Sequence, residues 1–189
     1  MPPTRREALA QLSALFAIPF LRWPEHFLGA FTSSLTDPLA GTIAEYQAGR
    51  LRGNWTALEV TRQALDRCSS WNDTLHAIDQ LSHTALDDAR ASDVRAAHGT
   101  LRGPLDGVPV FAKAIYDMRG LPTTGSNAQW AKLFPDPVRD DSVEVARMRA
   151  AGAIVLGKTA ADDFAYHGNG TSSLSGQVRN PYDPTGTRT

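Results

Sequence analysis

The strongest constraint on the fold lies between residues 103 and 159. Two short apolar runs, Val108-Pro-Val-Phe111 and Ala153-Ile-Val-Leu156, flank a segment that reads as a capped helix from Ser142 to Ala150. Such runs, rich in β-branched residues and bounded by Gly and Pro, predict strands buried on both faces. Strand, crossover helix and strand make a βαβ unit, which requires parallel pairing and a right-handed connection. The chain ahead of it is helical in pattern. Asp37-Pro38 predicts a helix start, with Leu39, Ile43 and Tyr46 on one face and Gly49 ending it. Thr56 with Glu59 forms a capping box, opening a helix with Val60, Ala64 and Cys68 on one face. Ser82 can cap a third, with Ala85, Leu86, Ala89 and Ala96 inward and Asp87, Asp88, Arg90 and Arg95 wet. The expected class is α/β, an N-terminal helical layer followed by the first strands of a sheet.

The first run delivers a lone cation, Lys113, to the end of a strand. An ammonium inside a sheet costs several kcal/mol unless it is paired or loses its proton, so a buried Lys here suits a base or proton relay. The competing reading is a lysine that snorkels from an edge strand. We expect Lys113 to be buried with no carboxylate in contact, because Ala114 follows it directly and Asp117 comes later.

Gly152-Ala-Ile-Val-Leu-Gly-Lys-Thr159 matches the Walker A pattern letter for letter. A phosphate loop needs intervening residues that curl their N–H groups around an anion, whereas Ala-Ile-Val-Leu has the composition of a buried strand. Gly152 also follows a helix rather than a strand and reads as that helix's C′ residue. A P-loop nucleotide-binding module is therefore the weaker alternative. Composition adds exclusions. A formal charge of −1 and a pI near 6.5 give no global pull toward nucleic acid or anionic lipid, so a small-molecule or peptide-like substrate is expected. Cys68 is the only cysteine, which excludes an intrachain disulfide, and no Cys/His cluster has metal-ligand spacing. No metal or organic cofactor is expected.

Four segments in order resemble the amidase signature family: the stretch from Gly103 to Lys113, Gly120-Leu-Pro-Thr-Thr-Gly-Ser126 after Asp117, the run from Asp141 to Thr159, and Asn180-Pro-Tyr-Asp-Pro184. The resemblance implies a mixed amidase-type sheet and hydrolysis or transfer of amide groups by a Ser, cis-Ser, Lys triad, acting on a small-molecule amide. Lys113 occupies the place of the family lysine. The family's Thr-Thr-x-Gly-Ser loop implies that Thr123, Thr124 and Ser126 line or support the substrate side, or merely satisfy backbone groups. Gly168-Asn-Gly-Thr-Ser-Ser-Leu-Ser-Gly176, with Ser172 and Ser173, reads equally as a polar wall of that site or a solvated linker. Ala114 departs from the family, where many members carry Asp. In the family, Asn-Pro-Tyr-Asp-Pro leads into a Gly-Gly-Ser-Ser-Gly-Gly loop bearing the cis-Ser, and this sequence stops at Thr189 before it. The expectation is the N-terminal part of an amidase, inactive by itself, with an unpaired strand edge that promotes self-association. The alternative is a catalytically dead amidase-like binding or assembly protein.

Residues 1–35 form a separate unit in this reading, and 36–189 the amidase part. Thr4-Arg5-Arg6 ahead of the moderately apolar stretch from Ala10 to Leu21 resembles a twin-arginine export signal. Glu7 and the lack of a clean cleavage site weaken that resemblance, and an amphipathic helix, Arg5 to Phe20, packed on the domain reads equally well. The apolar run is shorter than the roughly 20 residues a membrane span needs. Export would place the protein in the periplasm; otherwise a cytoplasmic location is expected.

Overall fold

The computed structural model describes residues 37–185. The expectations for the N-terminal 35 residues, signal or packed helix, lie outside the described residues. Chain order is α1 (Ile43–Leu51), α2 (Ala57–Leu75), β1 (Ile78–Leu81), α3 (Ala85–Ala97), β2 (Pro109–Lys113), α4 (Ala128–Leu133), α5 (Val143–Ala150) and β3 (Ile154–Thr159). A 3-10 turn (Asp163–Ala165) and a short hairpin of β4 (Thr171–Ser172) and β5 (Gly176–Gln177) follow.

The sheet is mixed, with strand order β1-β3-β2. β3 is central as expected, parallel to β2 and antiparallel to β1. Its burial explains its composition: every residue from Ile154 to Lys158 is buried. One face packs on α2 and α3, where Ile154 and Leu156 meet Ala57, Ala64, Ala85 and Ala89. The other packs under α5, where Val155 and Ala112 meet Val145, Met118 and Leu121. The small alanines of α2 and α3 let the helices approach the sheet closely.

Three details of the helical layer differ from the sequence reading. Asp37-Pro38 makes a turn, with the Asp37 carboxylate accepting from Leu39 N–H, and α1 begins later, behind a complete capping box of Thr42 and Glu45. Helix α3 has Thr84 rather than Ser82 as its N-cap, with the Ser82 hydroxyl accepting from the Thr84 N–H, and it buries Ser92 rather than Ala96. Asp88 and Arg95 are not simply wet: they pair with Arg149 and Asp106. The Thr56–Glu59 box and the Ser142 cap are present as read. Gly152 ends α5 at φ 90°, its N–H on the Arg149 carbonyl. An added Cβ there would lie 2.7 Å from Asp106 Cα, so both conformation and space demand glycine.

Gly152 to Thr159 is thus helix end and strand, not a phosphate loop. Gly157 serves the close approach of β1, since a Cβ would meet the Gln80 carbonyl oxygen at 2.1 Å. Among the described residues no helix is long and apolar enough to cross a membrane.

Candidate active site

The parallel strands β2 and β3 end side by side, with Lys113 opposite Thr159 and the Ala114 N–H on the Thr159 carbonyl at 2.9 Å. Loops leaving the carboxyl ends of parallel strands are where α/β proteins place their chemistry. Here they are residues 114–127 and 160–177. The Gly125 N–H reaches the Ala114 carbonyl and the Phe164 N–H the Gly125 carbonyl, so the two loops are joined by backbone hydrogen bonds.

Lys113 is exposed, which corrects the expectation of a buried base. The cause is strand alternation at an edge: Ala112 and Ala114 turn into the core and Lys113, between them, turns out. Asp117 does not pair with it. That carboxylate instead accepts the Thr123 hydroxyl at 2.6 Å.

The buried lysine is Lys158, fully shielded from solvent. Its placement follows from register. Val110 pairs with Val155 but Ala112 with Lys158, so β3 carries one extra residue there, and the slip turns Lys158 toward the α5 face. Its ammonium donates to the Pro122 carbonyl at 2.9 Å and the Thr123 hydroxyl at 3.1 Å. Burial pushes the Lys158 pKa down to about 8, while the charges of Asp117 and Asp79 pull the other way. A matching slip in β1, where Ile78 and Gln80 face the adjacent Thr159 and Lys158, isolates Asp79. Asp79 accepts a short hydrogen bond from the Ser126 hydroxyl.

The expected site hydroxyls divide. Thr124, Ser126 and Ser172 are buried. Thr124 Oγ1 accepts from the Ser126 N–H, Ser126 Oγ from the Ala161 N–H, and the Ser172 hydroxyl donates to the Ser126 carbonyl. Their oxygens satisfy groups that the sharp loop leaves without ladder partners. Thr123 is half-buried and Ser173 exposed, its hydroxyl held by Asp163 at 2.8 Å. Hydrogen bonds to the Ser173 backbone and side chain and to Asn127 keep the Asp163 carboxyl below the usual range, against a smaller effect of burial.

The turn after β3 concentrates backbone strain. Phe164 and Ala165 are consecutive non-glycine residues in the left-handed region, at φ 55° and 57°. Asp162 fixes the turn by accepting from the His167 and Gly168 N–H groups. The turn sets Phe164 against Trp130, ring centroids 5.6 Å apart, and leaves Tyr166 exposed. A cleft of about 590 Å³ between this turn and the β4–β5 hairpin is lined by Phe164, Tyr166, His167, Asn169, Thr171 and Ser173. Sequence reasoning does not single out Asp79, Asp162 or Asp163. Single acids in polar stretches carry no periodic signal, and Asp79 matters only through a register slip. Lys158 is visible in the sequence only within the Walker-like match and the amidase-like run from Asp141 to Thr159, neither of which carries a burial signal for it.

Comparison with known proteins agrees with this geometry. The Amidase family model matches residues 59–188. A glutamyl-tRNA(Gln) amidotransferase subunit from Salinispora arenicola is 40% identical over 150 residues, 79% of this chain and 30% of that protein. The native peptide amidase of Stenotrophomonas maltophilia superposes with a TM-score of 0.70 at 32% identity, over 77% of this chain and 31% of that one. A fatty acid amide hydrolase structure at 18% identity and TM-score 0.68 shares the fold. The chain thus spans about 30% of the length of the curated relatives it matches. With a mixed α/β sheet, ordered motifs and these relatives in agreement, the chain belongs to the amidase signature family.

Proposed function

We propose that this chain supplies the lysine-bearing part of an enzyme that cleaves carboxylic amides at the C–N bond. In the reaction we infer, a serine attacks the amide carbonyl and its proton passes through a cis-Ser to Lys113. The C–N bond breaks, the leaving nitrogen departs protonated, and water releases the carboxylate. The observation that carries this reading is the position of Lys113, at the carboxyl end of β2 opposite Thr159, within a chain of this family. Lys113 is exposed here, whereas a lysine serves as a base where burial disfavours its charged form. The reading therefore requires that Lys113 be desolvated by whatever covers this end of the sheet in the working enzyme.

The 189 residues alone should release no ammonia from simple aliphatic or aromatic amides. Ser126 and Ser172 are buried and engaged, and Ser173 is tied to Asp163. Turnover that vanishes on Lys113→Ala would show that a serine within this chain is the nucleophile. In the native gene product, assayed the same way, Lys113→Ala should reduce kcat at least 1000-fold; a fall under tenfold would remove Lys113 from the chemistry. An inert native product would favour the dead, assembly-type alternative.

Amide transfer is the second reading, favoured by relatives that are amidotransferase subunits. It predicts that glutamine is the preferred amide and that a partner protein raises the activity; turnover of simple amides with no partner would favour the hydrolase. We also propose export through the twin-arginine start. A reporter fused behind residues 1–35 should leave the cytoplasm, and Arg5→Lys with Arg6→Lys should stop it. Retention of the unmutated fusion would refute export.

A further inference from the structure

Lys158 takes no part in the reaction proposed above, yet its ammonium has no solvent exposure and no ion pair among the described residues. Its contacts are a carbonyl and a hydroxyl of one corner, Pro122 and Thr123. Thr123 is a junction. Its hydroxyl accepts from Lys158 and donates to Asp117, and its carbonyl accepts the Trp130 indole N–H at 3.1 Å. The Asp117 carbonyl in turn accepts the N–H of Ser142, the cap of α5. One side chain thereby ties β3 to the turn after β2, to α4 and to the start of α5.

A lysine at such a position is a costly way to fill space, since methionine has similar length and no charge to desolvate. What the ammonium adds is direction: donors aimed at two acceptors of a loop whose remaining geometry is strained. Beyond Thr124, Gly125 and Ser126 are both left-handed at φ 57°. We propose that Lys158 is a positioning residue, which pins the Pro122–Thr123 corner and so sets the 120–126 loop beside Lys113. The inference rests on the reading that this loop flanks the substrate. The charged groups whose field Lys158 feels are Asp117, beyond Thr123, and Asp79, beyond the β1 slip.

Amide hydrogen exchange on the 189-residue chain tests it. Lys158→Met should speed exchange at least tenfold at Gly125, Ser126 and Asn127, whose N–H groups are bonded to the Ala114 carbonyl and to Thr124, while Ala114 and Ile154 on the β2–β3 pairing stay near wild type. Thr123→Val should reproduce the effect and Thr123→Ser should restore protection, a rescue that mere space-filling does not predict. Unchanged loop exchange in Lys158→Met overturns the proposal, as does acceleration that is uniform across the sheet. If Lys158→Met does not fold, the Thr123 pair decides: Val and Ser behaving alike would overturn it. These readouts need no turnover, so failure of the amidase assays would sink the functional reading and leave the latch to stand or fall on exchange alone.

Discussion

Asp106, just ahead of β2, and Lys158, in β3, are both withdrawn completely from solvent, yet they are stabilised in opposite ways. Asp106 is met by charge. Arg95 grips both carboxylate oxygens at 2.8 and 2.9 Å, the Arg102 N–H adds a third bond, and the Ser92 hydroxyl a fourth. Burial alone would raise its pKa, but these partners outweigh it and hold the carboxyl below the usual range. Lys158 is met by neutral acceptors, so burial wins and its pKa falls. The first arrangement locks an ion in its charged form and suits a structural corner. The second leaves an ion whose charge is a running cost, which suits a site where direction matters more than strength.

The largest effect should come from breaking the first corner. Asp106→Asn presents an amide to Arg95 and leaves a guanidinium short of its counter-ion, which costs about 3–5 kcal/mol for buried pairs. Urea unfolding would read this as a matching drop in midpoint. The pH dependence has a definite sign. The folded pKa of Asp106 is depressed, so its contribution is complete above the unfolded value of about 3.9 and is lost as pH falls through the folded value. The variant's acid transition should therefore be shallower. A loss below about 1 kcal/mol, in the range of exposed pairs, would mean that the corner is not a charge lock.

Gly152→Ala strikes the same corner through the backbone. The residue sits at φ 90° and its new Cβ would press on Asp106 Cα. Strain of this kind costs about 1–3 kcal/mol. In a double-mutant cycle with Asp106→Asn the two losses should fall short of additive, because a displaced Asp106 has already lost part of its pairing. Strict additivity would show that the glycine serves only its own helix end.

The contrast between the corners also marks where sequence is readable. The βαβ unit is legible because its apolar runs and the Ser142 cap are local patterns, and the Thr56–Glu59 box because its two partners lie three residues apart. Asp37-Pro38 misleads because a second, better box stands five residues on, at Thr42 and Glu45. The four-residue β1 escapes notice because Ile-Asp-Gln-Leu is too short to show a period. Lys113 is expected inside since its strand is apolar, but burial of an alternate residue depends on what pairs with the strand's free edge, and that is a tertiary fact. Nothing local marks Lys158, and a one-residue slip between strands makes it the buried cation. Slips of this kind arise from pairing, so no single-strand pattern encodes them.

The smallest expected effect is on Lys158, and it has the opposite sign from that at Asp106. The folded pKa is about 8, against an unperturbed 10.5. Between those values the unfolded chain binds more protons than the folded one, so stability rises with pH across that window. Below about 8 the full cost of the buried charge is present, and above about 10.5 it is gone. Lys158→Met removes the titrating group and should flatten this alkaline rise. Near pH 7 its net change should be within about 1 kcal/mol, since relief from burying a charge offsets the carbonyl left without its donor at Pro122. Chemical denaturation of both proteins at half-unit steps from about pH 7 to 10.5 measures the difference directly. Parallel curves would mean that Lys158 titrates as it does in the unfolded chain, and the distinction between a locked anion and a costly, directed cation would collapse.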